Sequence, residues 1–262
     1  MIRLIATDLD GTVVRPDGSM SPRMVAALRA VEAAGIRLVI VTGRPPRWMH
    51  PVVEATGHRG TAVCGNGAFV YDLHAERIIE RFTLTVEAAV EAVERVRRVL
   101  PRAAFAIETG EEYAHAPDYR PYWPPPPGTR VAPIEELLSV PIGKLLVRDD
   151  LTGDEMHALV EPALAGLAQV THSVGDNEGL IEVSAPGVTK AHTLQVVADE
   201  WGIDAAEVVA FGDGLNDVEM LAWAGRSYAM ANAHPAALAV AGGVVPPVQA
   251  DGVAAVLEDL LL

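Results

Sequence analysis

Two aspartates separated by one residue, Asp8 and Asp10, follow the apolar run Ile2 to Thr7 within the segment Asp8-Leu9-Asp10-Gly11-Thr12. In an extended chain alternate side chains share a face, so both carboxylates are expected to point into one space at a strand end. Like charges in contact are costly unless a cation lies between them or one keeps its proton; the pair therefore points to a divalent metal, acid/base work, or both. Gly11 permits a sharp turn there, although a simple strand-ending turn would use the same residue types. A second apolar run closes in Thr42-Gly43-Arg44, whose hydroxyl and backbone N–H groups suit a phosphoryl oxygen. A third closes in Gly212-Asp213-Gly214-Leu215-Asn216-Asp217. Asn216 and Asp217 there could cap a helix, but capping does not account for Asp213. Lys190 lies near the start of a helical stretch, where the helix dipole disfavours a cation, so its place makes sense if it faces carboxylates and a bound anion.

The elements that must hold these residues alternate apolar runs with amphipathic stretches, the pattern of a parallel sheet covered on both faces. Ile2 to Thr7, Ile36 to Val41, Thr61 to Cys64 and Phe69 to Tyr71 read as strands. Ser21-Pro22 provides an N-cap and a first-position proline, Met24, Val25, Leu28 and Val31 follow at helical spacing, and Gly35 is the stop. The grammar returns near the other end: a helix from Val188 to Trp201, a strand from Glu207 to Phe211, a helix from Leu215 to Ala224, a strand at Tyr228 to Met230, and a final helix from Val253. Residues 1–80 and 185–262 thus read as one doubly wound, Rossmann-like α/β core domain. Residues 81–184 read as an inserted α+β domain with helices at Val86 to Leu100 and Asp154 to Leu167. Short strands are expected there around Phe105, Tyr113, Ile142 to Val147, Val170 and Leu180, with a Pro-rich surface loop at Pro121 to Pro127.

With 20 Lys plus Arg against 35 Asp plus Glu, the chain carries a formal charge of −15. That charge repels a phosphate backbone and an anionic membrane, so nucleic-acid and membrane partners are not expected, and any phosphate ligand must be held by local groups. The single cysteine, Cys64, allows no internal disulfide, and no apolar run is long enough to cross a bilayer; both fit a cytoplasmic protein. The histidines show no HExxH or paired spacing for zinc, and neither GxxxxGK[ST] nor a post-strand GxGxxG is present.

In this order and spacing, Asp8-Leu9-Asp10-Gly11-Thr12, Val41-Thr42-Gly43-Arg44, Lys190 and Gly212-Asp213-Gly214-Leu215-Asn216-Asp217 resemble the four motifs of the haloacid dehalogenase-like phosphohydrolases. The insert is similar to the α/β cap of their Cof-type sugar-phosphatase branch, as are Gly65-Asn66-Gly67-Ala68, Ala231-Asn232-Ala233 and Asp251-Gly252-Val253. The resemblance implies that Asp8 is the nucleophile and Asp10 the general acid/base. It implies phosphate binding by Thr42, Gly43, Lys190 and Asn216. It further implies Mg²⁺ held by the Asp8 side chain, the Asp10 carbonyl and Asp213, with Asn216 and Asp217 orienting that shell.

The implied activity is hydrolysis of small phosphorylated metabolites, sugar phosphates foremost, through an aspartyl-phosphate, by a monomer or homodimer. A phosphosugar mutase using the same intermediate and a non-catalytic phospholigand sensor are the competing readings. By the same resemblance the insert reads the leaving group, with Tyr113, His115, Arg120, Trp123, Lys144 and Glu178 as candidate contacts that spacing alone does not select. Trp48 and His50 could line the cleft or pack a helix, and Arg44 could meet phosphate or form a structural salt bridge.

Overall fold

The computed structural model describes residues 1–172 and 179–262, so Glu178 lies outside the described residues. In chain order the strands are β1 Leu4–Thr7, β2 Arg37–Val41, β3 Thr61–Cys64, β4 Phe69–Asp72, β5 Arg77–Arg81, β6 Ala104–Glu108 and β7 Tyr113–His115. They continue with β8 Arg130–Val131, β9 Lys144–Arg148, β10 Gln169–Thr171, β11 Leu180–Ser184, β12 Val208–Gly212, β13 Arg226–Met230 and β14 Gly243–Val245. The chain divides into two compact units, residues 1–80 with 190–262, and residues 81–189. The division falls between Thr189 and Lys190 because Ala185 and Val188 pack in the core of the second unit.

In the first unit the sheet order is β14-β13-β12-β1-β2-β3-β4-β5. The pairings from β14 to β3 are parallel, and β4 turns back antiparallel on β3. β1 and β12 are buried along their whole length, which is why they read as continuous apolar runs rather than alternating ones. From β1 the chain winds outward through β2 and β3; it later re-enters at β12 and winds the other way. The carboxyl ends of β1 and β12 therefore flank a topological switch point, where open α/β sheets place their ligands. Helix Pro22–Ala33 begins as its sequence requires, with the Ser21 hydroxyl accepting the Met24 N–H at 2.9 Å and proline at the first position.

The second unit carries a sheet ordered β10-β11-β9-β6-β7-β8, antiparallel except between β7 and β8. Alternation sorts its faces. Phe105, Ile107, Leu145, Val147, Ile181 and Val183 pack with Val93, Val96, Met156 and Val160 of helices Val86–Val99 and Gly153–Leu164. The opposite parity carries Ala104, Ala106 and Leu146, packed with Tyr113 and Tyr119, and a buried ion pair between Lys144 and Glu182.

Several elements differ from the sequence expectation. The stretch expected as a helix from Val188 starts at Lys190, and the one expected from Leu215 begins as a 3-10 turn, Leu215–Asp217, before helix Val218–Trp223. Strands β5, β8 and β14 and helices His50–Thr56 and Pro235–Val240 were not anticipated. The strands are two to five residues long and largely exposed, and both helices are short, so they lack the long apolar periodicity that makes an element legible.

Phe211, the penultimate residue of β12, is buried and stacks on Tyr228 of β13 with centroids 5.5 Å apart. Phe211→Ala should cost about 3–5 kcal/mol in urea unfolding, with the m-value unchanged. A loss under about 1 kcal/mol would show that this strand does not pin the switch point.

Candidate active site

β1 ends at Thr7, and the chain then turns tightly: the Thr12, Val13 and Val14 N–H groups all donate to the Leu9 carbonyl, at 3.2, 2.9 and 2.7 Å. Leu9 is fully buried and pins this turn in the core, between the two aspartates. Both residues lie beyond the strand, so the turn rather than strand alternation sets their directions, and the Asp10 charge still helps to raise the Asp8 carboxyl. Asp8 turns inward, where its Oδ1 accepts from Lys190 Nζ at 2.6 Å. Asp10 is exposed, and its two carboxylate oxygens accept from Arg44 Nε at 2.8 Å and an Arg44 terminal nitrogen at 2.5 Å. Arg44 thus forms the structural pair that its sequence position left open.

The loop after β12 brings the second group of acids. Asp217 is completely buried; its Oδ2 accepts the backbone N–H groups of Asp213 and Gly214 at 3.0 and 2.9 Å, and its Oδ1 accepts from Lys190 at 2.7 Å. Asp213 receives the Thr12 hydroxyl at 3.3 Å. Gly11 is required here twice over. Its φ is +82°, a region that L side chains avoid, and a Cβ on it would stand 2.1 Å from Asp213 Oδ2. Thr42, at the end of β2, is buried, and its hydroxyl oxygen accepts the Arg44 N–H at 3.0 Å, which leaves the hydroxyl hydrogen to donate.

Lys190, the first residue of helix Lys190–Glu200, is 1% exposed and joins the two strand ends. Burial alone would lower its pKa, but Asp217 and Asp8 outweigh that and hold it charged. Burial pushes the Asp8 carboxyl up against the pull of Lys190. Burial, with the negative Asp217 beside it, raises Asp213 to about 7. Lys190 and Arg44 are the two cations set against the four acids Asp8, Asp10, Asp213 and Asp217.

Oxygens of Asp8, Asp213 and Asp217 lie within 4.8 Å of one another, the grouping of acids among the described residues that could hold a metal ion. An all-oxygen donor set of carboxylates that outnumber the neighbouring cations fits a hard divalent cation such as Mg²⁺. Within the cluster Asp217 has both oxygens engaged by Lys190 and the backbone, whereas Asp8 and Asp213 each offer a carboxylate oxygen with no hydrogen bond among the described residues. Sequence reasoning passed over two side chains that complete this geometry: Thr12, which orients Asp213, and Asn66, whose Oδ1 accepts from Asn216 Nδ2 at 3.0 Å. Their signals were a threonine after the glycine turn and an asparagine between two glycines.

Lys190→Met leaves Asp8 and Asp217 buried without their cation and should destabilise the protein by about 3–5 kcal/mol in chemical denaturation. An unchanged midpoint would show that these carboxylates do not depend on the ammonium. Gly11→Ala should cost about 1–2 kcal/mol of backbone strain and, by displacing Asp213, weaken divalent-cation binding by about 10–100-fold in calorimetry.

The model of the haloacid dehalogenase-like hydrolases matches residues 5–257. The chain is 29% identical over 268 residues to the pyridoxal phosphate phosphatase YbhA of Escherichia coli K12, covering 96% of each chain. It is also 29% identical over 277 residues to a second protein of that organism, the 5-amino-6-(5-phospho-D-ribitylamino)uracil phosphatase YbjI, covering 99% of this chain and 96% of the relative. Among solved structures, BT1666 of Bacteroides thetaiotaomicron, described with the phosphatases of the haloalkanoate superfamily, superposes with a TM-score of 0.83 at 26% identity, over 100% of this chain and 96% of its own. A family model that runs almost from end to end, over the same strand ends that gather the acids, gives one assignment: the chain belongs to the haloacid dehalogenase-like hydrolases.

Proposed function

We propose that this hydrolase is a Mg²⁺-dependent phosphatase of small phosphorylated metabolites, sugar phosphates among them, working through a phosphorylated Asp8. The observation that carries this reading is the meeting of Lys190 with Asp8 and Asp217 at the switch point, with Asp213 alongside. The named activities of the relatives, on pyridoxal phosphate and on a ribityl phosphate, support the same chemical class.

The Asp8 carboxylate attacks phosphorus as the bond to the leaving oxygen breaks, and Asp10 supplies the proton that makes that oxygen a neutral alcohol. In the second step water attacks phosphorus, its proton passes to Asp10, and the Asp8–phosphorus bond breaks to release phosphate and the free carboxylate. Asp10 is held by Arg44 through both oxygens, so its proton duties require that pair to open. Lys190, the Thr42 hydroxyl, the Gly43 N–H and the Asn216 amide are assigned to the phosphoryl oxygens, whose charge spreads in the transition state. Mg²⁺, held by Asp8, the Asp10 carbonyl and Asp213, with Asn216 and Asp217 supporting them, would offset that charge. In the inserted unit, the sheet face carrying Tyr113, His115, Lys144 and Glu182 is the one suited to a polar leaving group.

Orthophosphate release from p-nitrophenyl phosphate and from a panel of phosphorylated metabolites should require Mg²⁺, stop on chelation with EDTA and return when Mg²⁺ is restored. Asp8→Asn should abolish turnover; residual turnover near the wild-type rate would remove Asp8 from the nucleophile's place. Release of free phosphate rather than an isomerised sugar phosphate separates this reading from a mutase.

A further inference from the structure

The loop Gly65-Asn66-Gly67, immediately after β3, lies outside the four motif-like segments, yet its backbone is left-handed at three successive residues, with φ of +64°, +57° and +106°. Asn66 is the non-glycine residue of the three; asparagine tolerates this region better than most because its short polar side chain can bond locally. Here the side chain bonds at long range. Asn66 is 2% exposed, its backbone N–H donates to the Thr42 carbonyl at 3.0 Å, and its Oδ1 accepts from Asn216 Nδ2 at 3.0 Å. The flanking glycines are tied as well: the Gly65 N–H donates to the Arg44 carbonyl at 2.9 Å, and the Thr193 hydroxyl donates to the Gly67 carbonyl at 2.7 Å. One short loop therefore grips the end of β2, the helix that begins at Lys190, and the loop after β12.

The Asn216 amide oxygen uses the space that glycine leaves at 214, where a Cβ would stand 2.4 Å from its Oδ1. The bond to Asn66 turns the amide nitrogen toward that residue, with the oxygen beside Gly214. We infer that Asn66 is a positioning residue for the phosphoryl site, fixing the Asn216 amide and the Thr42 turn in mutual register. An amide nitrogen carries two hydrogens. Asn66 takes one, and the plane it fixes sets the direction of the second toward a phosphoryl oxygen. This inference rests on the phosphatase reading above and adds a residue to it.

A loop asparagine that merely tolerated a left-handed backbone would act on stability alone, and a double-mutant cycle separates that case. Asn66→Gly keeps the left-handed backbone and removes the amide, and Asn216→Ala removes the partner. Each should lower kcat/KM for p-nitrophenyl phosphate with Mg²⁺ by about 10–100-fold, with thermal midpoints within a few degrees of wild type. The double variant should be no worse than the more impaired single variant, because both changes remove one shared bond. Losses that multiply, or an Asn66→Gly enzyme with wild-type kcat/KM, overturn the inference. If Asn66→Gly fails to fold, Gly214→Ala crowds the oxygen of the same amide; it should weaken inorganic phosphate binding about tenfold, with no further loss when Asn216→Ala is added, and additive losses overturn the inference equally. A wild-type protein that releases no phosphate from any ester would instead overturn the phosphatase reading itself.

Discussion

One buried ammonium organises the acid cluster at the switch point of the first sheet. Lys190 sits where three carboxylates crowd, and two of them, Asp8 and Asp217, bond to it directly. Desolvation would discharge an isolated lysine at this depth; carboxylates on both sides reverse that tendency. The converse also holds, since acids this closely packed could not all ionise without a cation among them. The interaction joins residues 182 and 27 positions apart in the sequence, so it forms only once the sheet has closed at its switch point.

The rest of the site holds that cluster in place through hydrogen bonds and close backbone packing. Asp217 spends both oxygens on Lys190 and on the backbone of its own loop, so it acts as a brace. Gly11 lets the β1 turn approach Asp213 more closely than any side chain would allow. Arg44 takes the Asp10 carboxylate at the exposed edge, so that acid adds no uncompensated charge of its own. What remains, three carboxylates around one ammonium with oxygens within 4.8 Å of one another, is a donor set that suits a hard divalent ion. Strong buried polar groups of this kind are high-stakes: fully satisfied they rigidify a site, and partly satisfied they destabilise it.

The second unit shows the same logic in a plainer setting. Its sheet hides one apolar face beneath two helices and sets polar and aromatic side chains on the opposite parity, including the buried Lys144–Glu182 pair. Among the described residues no helix is long and apolar enough to cross a membrane.

The sequence alone determined the elements whose apolar period is long and whose ends carry chemical punctuation. β1, β2 and β12 are continuous apolar runs, and helix Pro22–Ala33 announces itself through Ser21 and Pro22, so the doubly wound class and the gathering of Asp8, Thr42 and Asp213 at one sheet edge were legible from local pattern. Side-chain direction beyond the strands was not. Asp8 is buried and Asp10 exposed because the strand ends at Thr7, before either residue, and the turn that follows sets their directions. The choice of Asp10 by Arg44, the alliance of Asn66 with Asn216 and the close passage of Gly11 by Asp213 link segments 34, 150 and about 200 residues apart. Only the tertiary structure could decide these contacts, because they depend on which loops the folded sheet brings together and on the desolvation that closure imposes, and neither quantity is written in any local stretch of the chain.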